Sequence, residues 1–214
     1  MDSFLLQGAK RNMIETLRNK GITDENVLSA MEKVDRHLFV ESYLWSRAYN
    51  DTPLPIHCGQ TISQPSTVAF QTQLLSVGKN DKILEIGTGS GYQAAVLGAM
   101  GAKVFSVERH VDLFVKTKEI ISKIDPKIIL RCGDGFAGLL AFAPFNRIIV
   151  TCGAPNVPPA LLSQLAPDGI MVIPVGQGKQ VMKRIIKDSN GEVTEESYGD
   201  FVFVPMLEHK SKRN

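Results

Sequence analysis

The sequence predicts an α/β fold: a mostly parallel sheet flanked by helices, with an antiparallel C-terminal strand pair and an N-terminal helical cap. Three observations predict it. Lys82–Ile86 is a short, mostly apolar run suited to a strand buried on both faces. Gly87-Thr-Gly89-Ser-Gly91 follows as a turn, and residues 93–100 read as a helix of good formers. Apolar runs and amphipathic segments then keep alternating, as strands and crossover helices do in a parallel sheet.

From the N-terminus, residues 3–20 carry Phe4, Leu6, Met13, Ile14 and Leu17 at helical spacing, ended by Gly21. Thr23 is read as the N-cap of a second helix running to about Val34. Residues 35–40 and 44–49 are read as short turns. All of these precede the glycine turn and are expected to cap its ligand, outside the sheet. Residues 50–65 hold three prolines and one glycine and are expected to be irregular, a loop rich enough in specific groups to carry function. Ser66 is read as the cap of a helix over 67–75, whose faces Val68, Phe70, Gln71, Leu74 and Leu75 mark.

Beyond the glycine turn, residues 103–107 form a second strand ended by Glu108. A crossover helix is expected over 112–122, a third strand over 128–131 and a fourth over 147–151. A short helix over 159–165 and the turn Pro167-Asp-Gly169 lead to a strand over 170–175. Residues 180–187 and 197–204, joined across Ser189-Asn-Gly191, are the antiparallel pair. The expected organisation is a single domain over 1–214: helical cap and substrate loop to residue 80, core over 81–208, and a solvated tail over 209–214.

The chain of 214 residues is long enough for a sizeable core, and 43% apolar residues is ordinary for a globular protein. A net charge of +2 with scattered lysines shows no basic stripe for nucleic acid. No run of about twenty apolar residues and no cationic-then-apolar leader is present, so neither a membrane span nor secretion is expected. Cys58, Cys132 and Cys152 lack C-x-x-C spacing, and no histidine completes a zinc pattern. Buried or half-buried free thiols in a cytoplasmic protein, with no metal site, are the expectation.

The ligand is argued from spacing. A dinucleotide fingerprint needs a third glycine where Tyr92 stands. The chain instead has Glu85-x-Gly87-x-Gly89-x-Gly91, with Glu108 ending the next strand, where an acid accepts from both hydroxyls of a ribose. This pattern resembles the class I S-adenosylmethionine methyltransferases, whose fold is Rossmann-like. Ala48-Tyr-x-Asp51-x-Pro-Leu-Pro-Ile56 followed by Gly59-Gln-Thr-Ile-Ser-Gln-Pro65 is more specific, and resembles the protein-L-isoaspartate O-methyltransferase family. Val107-Glu-Arg109, Gly133-Asp-Gly135, Phe145-Asn-Arg-Ile-Ile-Val-Thr151, Leu165-Ala-Pro-x-Gly169 and Phe203-Val-Pro205 extend the resemblance over nearly the whole chain.

The resemblance implies S-adenosyl-L-methionine as cofactor. It implies Gln60, Thr61, Ile62, Glu85, Gly87, Thr88, Gly89, Gly91, Glu108, Arg109, Asp134 and Gly135 around that cofactor. Ser63 is implied as the residue that fixes the acceptor, the free α-carboxylate of an L-isoaspartyl residue in a protein or peptide. Such a carboxylate is ionised at neutral pH and needs no general base. The implied setting is a cytoplasmic repair enzyme, monomeric, acting on proteins and peptides without nucleic-acid or membrane partners. Three departures accompany it: Asn146 where the family usually has aspartate, Val68 where some relatives have histidine, and Leu207 where relatives often have a hydroxyl or small branched residue. Plain alternatives stay open. Thr61 and Ser63 suit capping and turns, Asp134-Gly135 suits a simple turn, and the same fold serves small-molecule methyltransferases and nucleoside-binding modules.

Overall fold

The computed structural model describes residues 3–211. Two helices come first, α1 (Ser3–Asn19) and α2 (Glu25–Lys33), followed by single 3₁₀ turns at Arg36–Phe39 and Ser42–Arg47. A two-residue ladder, β1 (Leu54–Pro55) with β2 (Thr61–Ile62), leads into α3 (Pro65–Leu75). The core then runs β3 (Lys82–Ile86), α4 (Tyr92–Ala99), β4 (Lys103–Glu108), α5 (Val111–Ile124) and β5 (Ile129–Cys132). It continues with β6 (Phe145–Val150), α6 (Pro159–Gln164), β7 (Leu165–Val175), β8 (Gln180–Lys187) and β9 (Val193–Phe201).

Seven strands make one sheet in the order β5-β4-β3-β6-β7-β8-β9. Neighbours from β5 to β7 pair in parallel, while β8 pairs antiparallel with both β7 and β9. β3 lies between β4 and β6, so strand order reverses at its edge, and a ligand crevice opens outside the carboxyl ends of the strands there. Alternation along the strands builds two apolar layers. Ile83, Val104, Ile149 and Val172 face Val68 and Ala69 of α3 and Val96 and Leu97 of α4. Leu84, Ile86, Val107, Ile148 and Met171 face the other way, toward Leu161 of α6.

The N-terminal helices sit further from the crevice than expected. α2 packs on α3 and α4, and α1 on α2 and α3, so they back the helices that border the site. The cap of α2 is Asp24, whose Oδ1 accepts from the Asn26 and Val27 amides; the Thr23 amide instead donates to Gln73 Oε1 at 2.8 Å. α3 starts earlier than expected because Pro65 fits a first helical turn, having no N–H to leave unpaired. Asp51 Oδ1 accepts from the Ser66 amide at 2.7 Å, so a carboxylate from across the loop takes the capping role expected of Ser66.

Other boundaries moved for similar local reasons. The loop before α3 is irregular except for the β1–β2 ladder. β9 begins at Val193, well before the expected 197, because Asp188 Oδ1 accepts from the Asn190 and Glu192 amides and closes the turn tightly. Pro167-Asp-Gly169 lies inside β7, as an irregularity where pairing with β6 shifts register. Asn146 lies within β6, and its Oδ1 accepts from the Lys82 amide at 2.9 Å, supplying an acceptor at the start of β3 without a charge.

Cys58 is exposed rather than buried, in a left-handed turn at φ 59°. No group of three or more metal-ligating side chains gathers among the described residues. Nor is any described helix long and apolar enough to cross a membrane. Of the expected tail, residues 209–211 are tied down: the His209 amide donates to Asp134 Oδ2 and the Ser211 amide to the Arg109 carbonyl. Lys212, Arg213 and Asn214 lie outside the described residues.

Candidate active site

The crevice is built where the ends of β3, β4 and β6 meet the β2–α3 junction and residues 204–207. After β3, the Gly87 and Thr88 amides both donate to the Val107 carbonyl of β4. Thr151, just past β6, donates from Oγ1 to the Gly87 carbonyl at 2.6 Å and to Ile86 at 3.0 Å. Thr117 of α5 holds the Gly89 carbonyl at 2.6 Å. The turn is therefore clamped from three neighbouring elements before any ligand arrives.

Two acids stand behind it, in different states. Glu108 is buried at the end of β4, with Oε2 accepting from the Gly89 amide at 2.9 Å and Oε1 from the His110 amide at 2.8 Å. Each oxygen keeps a lone pair for a hydroxyl in the cleft. Glu85 lies inside β3, wholly buried, and neither of its oxygens has a hydrogen-bond partner. Burial pushes its carboxyl up to about 8; the Ser106 hydroxyl, already engaged by Thr88, opposes this only in part, and the Glu108 charge adds to it. Glu85 is thus a neutral acid at neutral pH. Burial likewise pushes the Cys152 thiol up to about 12, so the cleft holds no thiolate.

Across the cleft, Gln60, Thr61, Ile62 and Ser63 form one wall. The Ser63 carbonyl accepts from Arg36 Nη2 at 2.8 Å, while its hydroxyl has no protein partner among the described residues. Thr61, Ser63, Thr151 and Val204 also line a second groove of about 670 Å³ that opens beside the first. Lys20, Ile22, Pro53, Gln64, Ser66, Thr67, Phe70 and residues 200–203 form the rest of that groove. Its volume is within the range of ligand clefts, about 300–1,000 Å³.

The residues present suit a nucleoside-bearing, donor-rich ligand. Tyr92 and Gln93 line the cleft, and the Tyr92 hydroxyl and Gln93 Oε1 are buried without protein partners. A Cβ on Gly87 would stand 2.6 Å from Thr151 Oγ1, and one on Gly135 2.5 Å from Ile86 Cγ2. A bare main chain is required along that floor.

Comparison with known proteins decides the family. A family model described as protein-L-isoaspartate(D-aspartate) O-methyltransferase matches residues 8–211. The chain belongs to the protein-L-isoaspartate O-methyltransferase family. A relative of that name from Flavobacterium psychrophilum is 51% identical over 206 residues, 96% of this chain and 97% of its own. One from Christiangramia forsetii is 50% identical over 212 residues, 98% of this chain and 99% of its own. A solved structure from Plasmodium falciparum, described as this methyltransferase with S-adenosyl-L-homocysteine, superposes with TM-score 0.81 at 26% identity. It covers 92% of this chain and 97% of that one.

As a member of this family the chain uses S-adenosylmethionine, and most residues implied by its motifs converge. Gln60, Thr61, Ile62, Ser63, Gly87, Thr88, Gly89, Glu108, Arg109 and Gly135 all line the cleft. Glu85, Gly91 and Asp134 do not. Glu85 lies behind the turn, and a Cβ on Gly91 would meet Thr117 and Ile121 of α5. Asp134 spends Oδ1 on the Phe136 amide and Oδ2 on the His209 amide. Sequence reasoning missed Gln71, Thr151 and Cys152 as lining residues, because only sheet order and helix packing bring β6 and α3 to the glycine turn. It also missed Tyr92 and Gln93, which follow that turn directly at the start of α4.

Glu85 makes the protein's stability depend on pH. The folded chain holds this proton to about 8, whereas an unfolded glutamate releases it near 4.3. Stability from this group is therefore full below the unfolded value and declines as pH rises toward 8, by about 2 kcal/mol between pH 6 and 8. Glu85→Gln is expected to remove that part of the slope and to unfold at higher temperature at pH 8. Urea unfolding of the ligand-free protein at both pH values measures it; identical slopes in both proteins would refute it.

Proposed function

We propose that this enzyme transfers a methyl group to the free α-carboxylate of L-isoaspartyl residues in damaged proteins and peptides. The resulting methyl ester collapses to a succinimide when the neighbouring backbone amide attacks it and expels methanol. One observation supports this reading most: the cofactor cleft and the open groove share a wall at Thr61, Ser63, Thr151 and Val204. A peptide lying in the groove meets the cleft there. In this reading Gln60, Thr61, Ile62, Gly87, Thr88, Gly89, Glu108, Arg109 and Gly135 hold the cofactor, with Glu85, Gly91 and Asp134 shaping the frame. The partners are isoaspartyl proteins and peptides met in the cytoplasm by a monomer, without nucleic acid or membrane; a net charge of +2 accords with that.

S-adenosylmethionine, when bound, supplies an electrophilic methyl group on a sulfonium. The chain's own task is orientation. An ionised carboxylate needs no base, which suits a cleft whose Cys152 keeps its proton, with a protonated Glu85 buried behind the turn. Opposite charges vanish as the methyl moves, so strong stabilisation of either charge would slow the step. Alignment can contribute about 7–11 kcal/mol in favourable cases. The unpartnered Ser63 hydroxyl donates one hydrogen bond that fixes a carboxylate oxygen without neutralising it. Leu207 and Val68 line the cleft as apolar surface, so position 68 offers no polar contact and at Leu207 only main-chain contacts are available.

Ser63→Ala tests the acceptor role. Loss of this one hydrogen bond to a charged acceptor, about 1.5–3 kcal/mol, is expected to lower kcat/KM for an isoaspartyl peptide by roughly ten- to a hundredfold. Affinity for S-adenosylhomocysteine stays within a few-fold. Full activity in the mutant would leave Ser63 a turn residue only. Glu108→Ala tests the cofactor end: losing hydrogen bonds to a charged acceptor costs about 1.5–3 kcal/mol, more than tenfold in affinity. Calorimetry that finds unchanged affinity in folded Glu108→Ala would remove it from the site.

A further inference from the structure

We infer that Arg36 is a positioning residue for the acceptor side of the site, acting through the main chain of Ser63. Arg36 is wholly buried. Its Nε donates to the Ala48 carbonyl at 2.7 Å and its Nη2 to the Ser63 carbonyl at 2.8 Å. The guanidinium lies 4.8 Å from the centroid of the Tyr92 ring, and Nη1 is buried without a partner. Among the described residues no carboxylate forms a salt bridge with it, and the Asp51 charge acts on it only from further off. A buried cation without an ion pair is costly, and here it is kept by the two carbonyls it satisfies.

The partners show what the charge accomplishes. Ala48 and Ser63 stand at the two ends of the segment that carries Gln60, Thr61 and Ile62, so one planar fork joins its ends. Tyr92, beneath the fork, opens α4 directly after the glycine turn. The guanidinium therefore sets the spacing between the Ser63 wall and the glycine floor. Ser63 has no side-chain anchor to the protein, so the aim of its hydroxyl follows its main chain, and its main chain follows Arg36. A lysine keeps the charge but cannot make two bonds in a rigid fork.

This inference rests on the isoaspartyl reading above. Its test compares Arg36→Lys and Arg36→Met with the unaltered enzyme in three measurements: isoaspartyl-peptide kinetics at saturating S-adenosylmethionine, S-adenosylhomocysteine calorimetry and thermal unfolding. A shift of Ser63 by a fraction of an ångström is expected to lower peptide kcat/KM by about tenfold or more in both variants, least in Arg36→Lys. Because Arg36 also braces the segment carrying Gln60, Thr61 and Ile62, cofactor-product affinity is expected to fall too, but by clearly less than peptide kcat/KM. A folded variant with unchanged peptide kcat and KM overturns the inference, and so does a loss of cofactor affinity equal to the loss of kcat/KM. Should neither variant fold, the Arg36 Nε–Hε nuclear magnetic resonance signal of the unaltered enzyme decides. Isoaspartyl peptide is expected to shift it, and an unmoved signal overturns the inference. Inactivity of the unaltered enzyme on the peptide would instead defeat the isoaspartyl reading itself.

Discussion

Gly87→Ala is expected to lose at least about thirtyfold in affinity for S-adenosylhomocysteine and to unfold at a lower temperature than the unaltered enzyme. Gly87 has φ 98°, outside the conformations L-residues adopt at low cost, and strain of this kind costs about 1–3 kcal/mol. Its new Cβ would also stand 2.6 Å from Thr151 Oγ1, the hydroxyl that holds the turn by its carbonyls. Overpacking adds about 1–3 kcal/mol more, and relief requires Thr151 to release the turn. Gly89→Ala is the control within the same motif. Its φ of 53° is left-handed and costs an alanine about 1–2 kcal/mol, but the space is open, the nearest atom to an added Cβ being Ile56 Cδ1 at 3.7 Å. Gly89→Ala should therefore lose about 1–2 kcal/mol of stability, from backbone strain alone and without the overpacking met at Gly87. Thermal unfolding and calorimetry on both mutants measure the contrast; equal effects would show that the glycines serve the turn alike.

Much of this frame was legible before the structure. β3, the glycine turn and the acid ending β4 could be read because strand burial, positive φ and a ribose acceptor each demand particular residues at fixed spacing. Boundaries set by side chains from elsewhere could not. α3 is capped by Asp51 from across a loop, and β9 begins early because Asp188 closes its own turn. The opposite wall of the cleft was only half visible. Gln60 to Ser63 could be placed by motif, but Thr151 and Gln71 reach the site through sheet order and helix packing. Arg36 gave no signal at all, since a buried guanidinium bonded to carbonyls looks in sequence like any surface arginine.

Charge placement separates the acids in the same way. Glu85 and Glu108 both sit near the glycine turn, and sequence alone assigns both to the cofactor. Two backbone amides hold Glu108 at the cleft, whereas Glu85 is wholly buried with no amide donor, and burial keeps its proton on. Glu85 thus contributes to the pH dependence of folding, and Glu108 to binding.

Substrate choice is the central claim. An isoaspartyl residue routes the backbone through its side chain, leaving an α-carboxylate one methylene closer to the main chain than the carboxylate of aspartate. A peptide held in the groove beside Ser63 would bring that carboxylate to the shared wall, and an aspartyl isomer would carry its own past the line. Misplacement by about 1 Å costs some hundredfold where alignment is the main resource. The direct measurement is to incubate a matched pair of isoaspartyl and aspartyl peptides with tritiated S-adenosylmethionine, following label in peptide and in volatile methanol. The expected result is labelling of the isoaspartyl peptide at least about a hundredfold faster, with label then released as methanol in mild base. Equal labelling of both isomers, or label on nitrogen that persists in mild base, would contradict it.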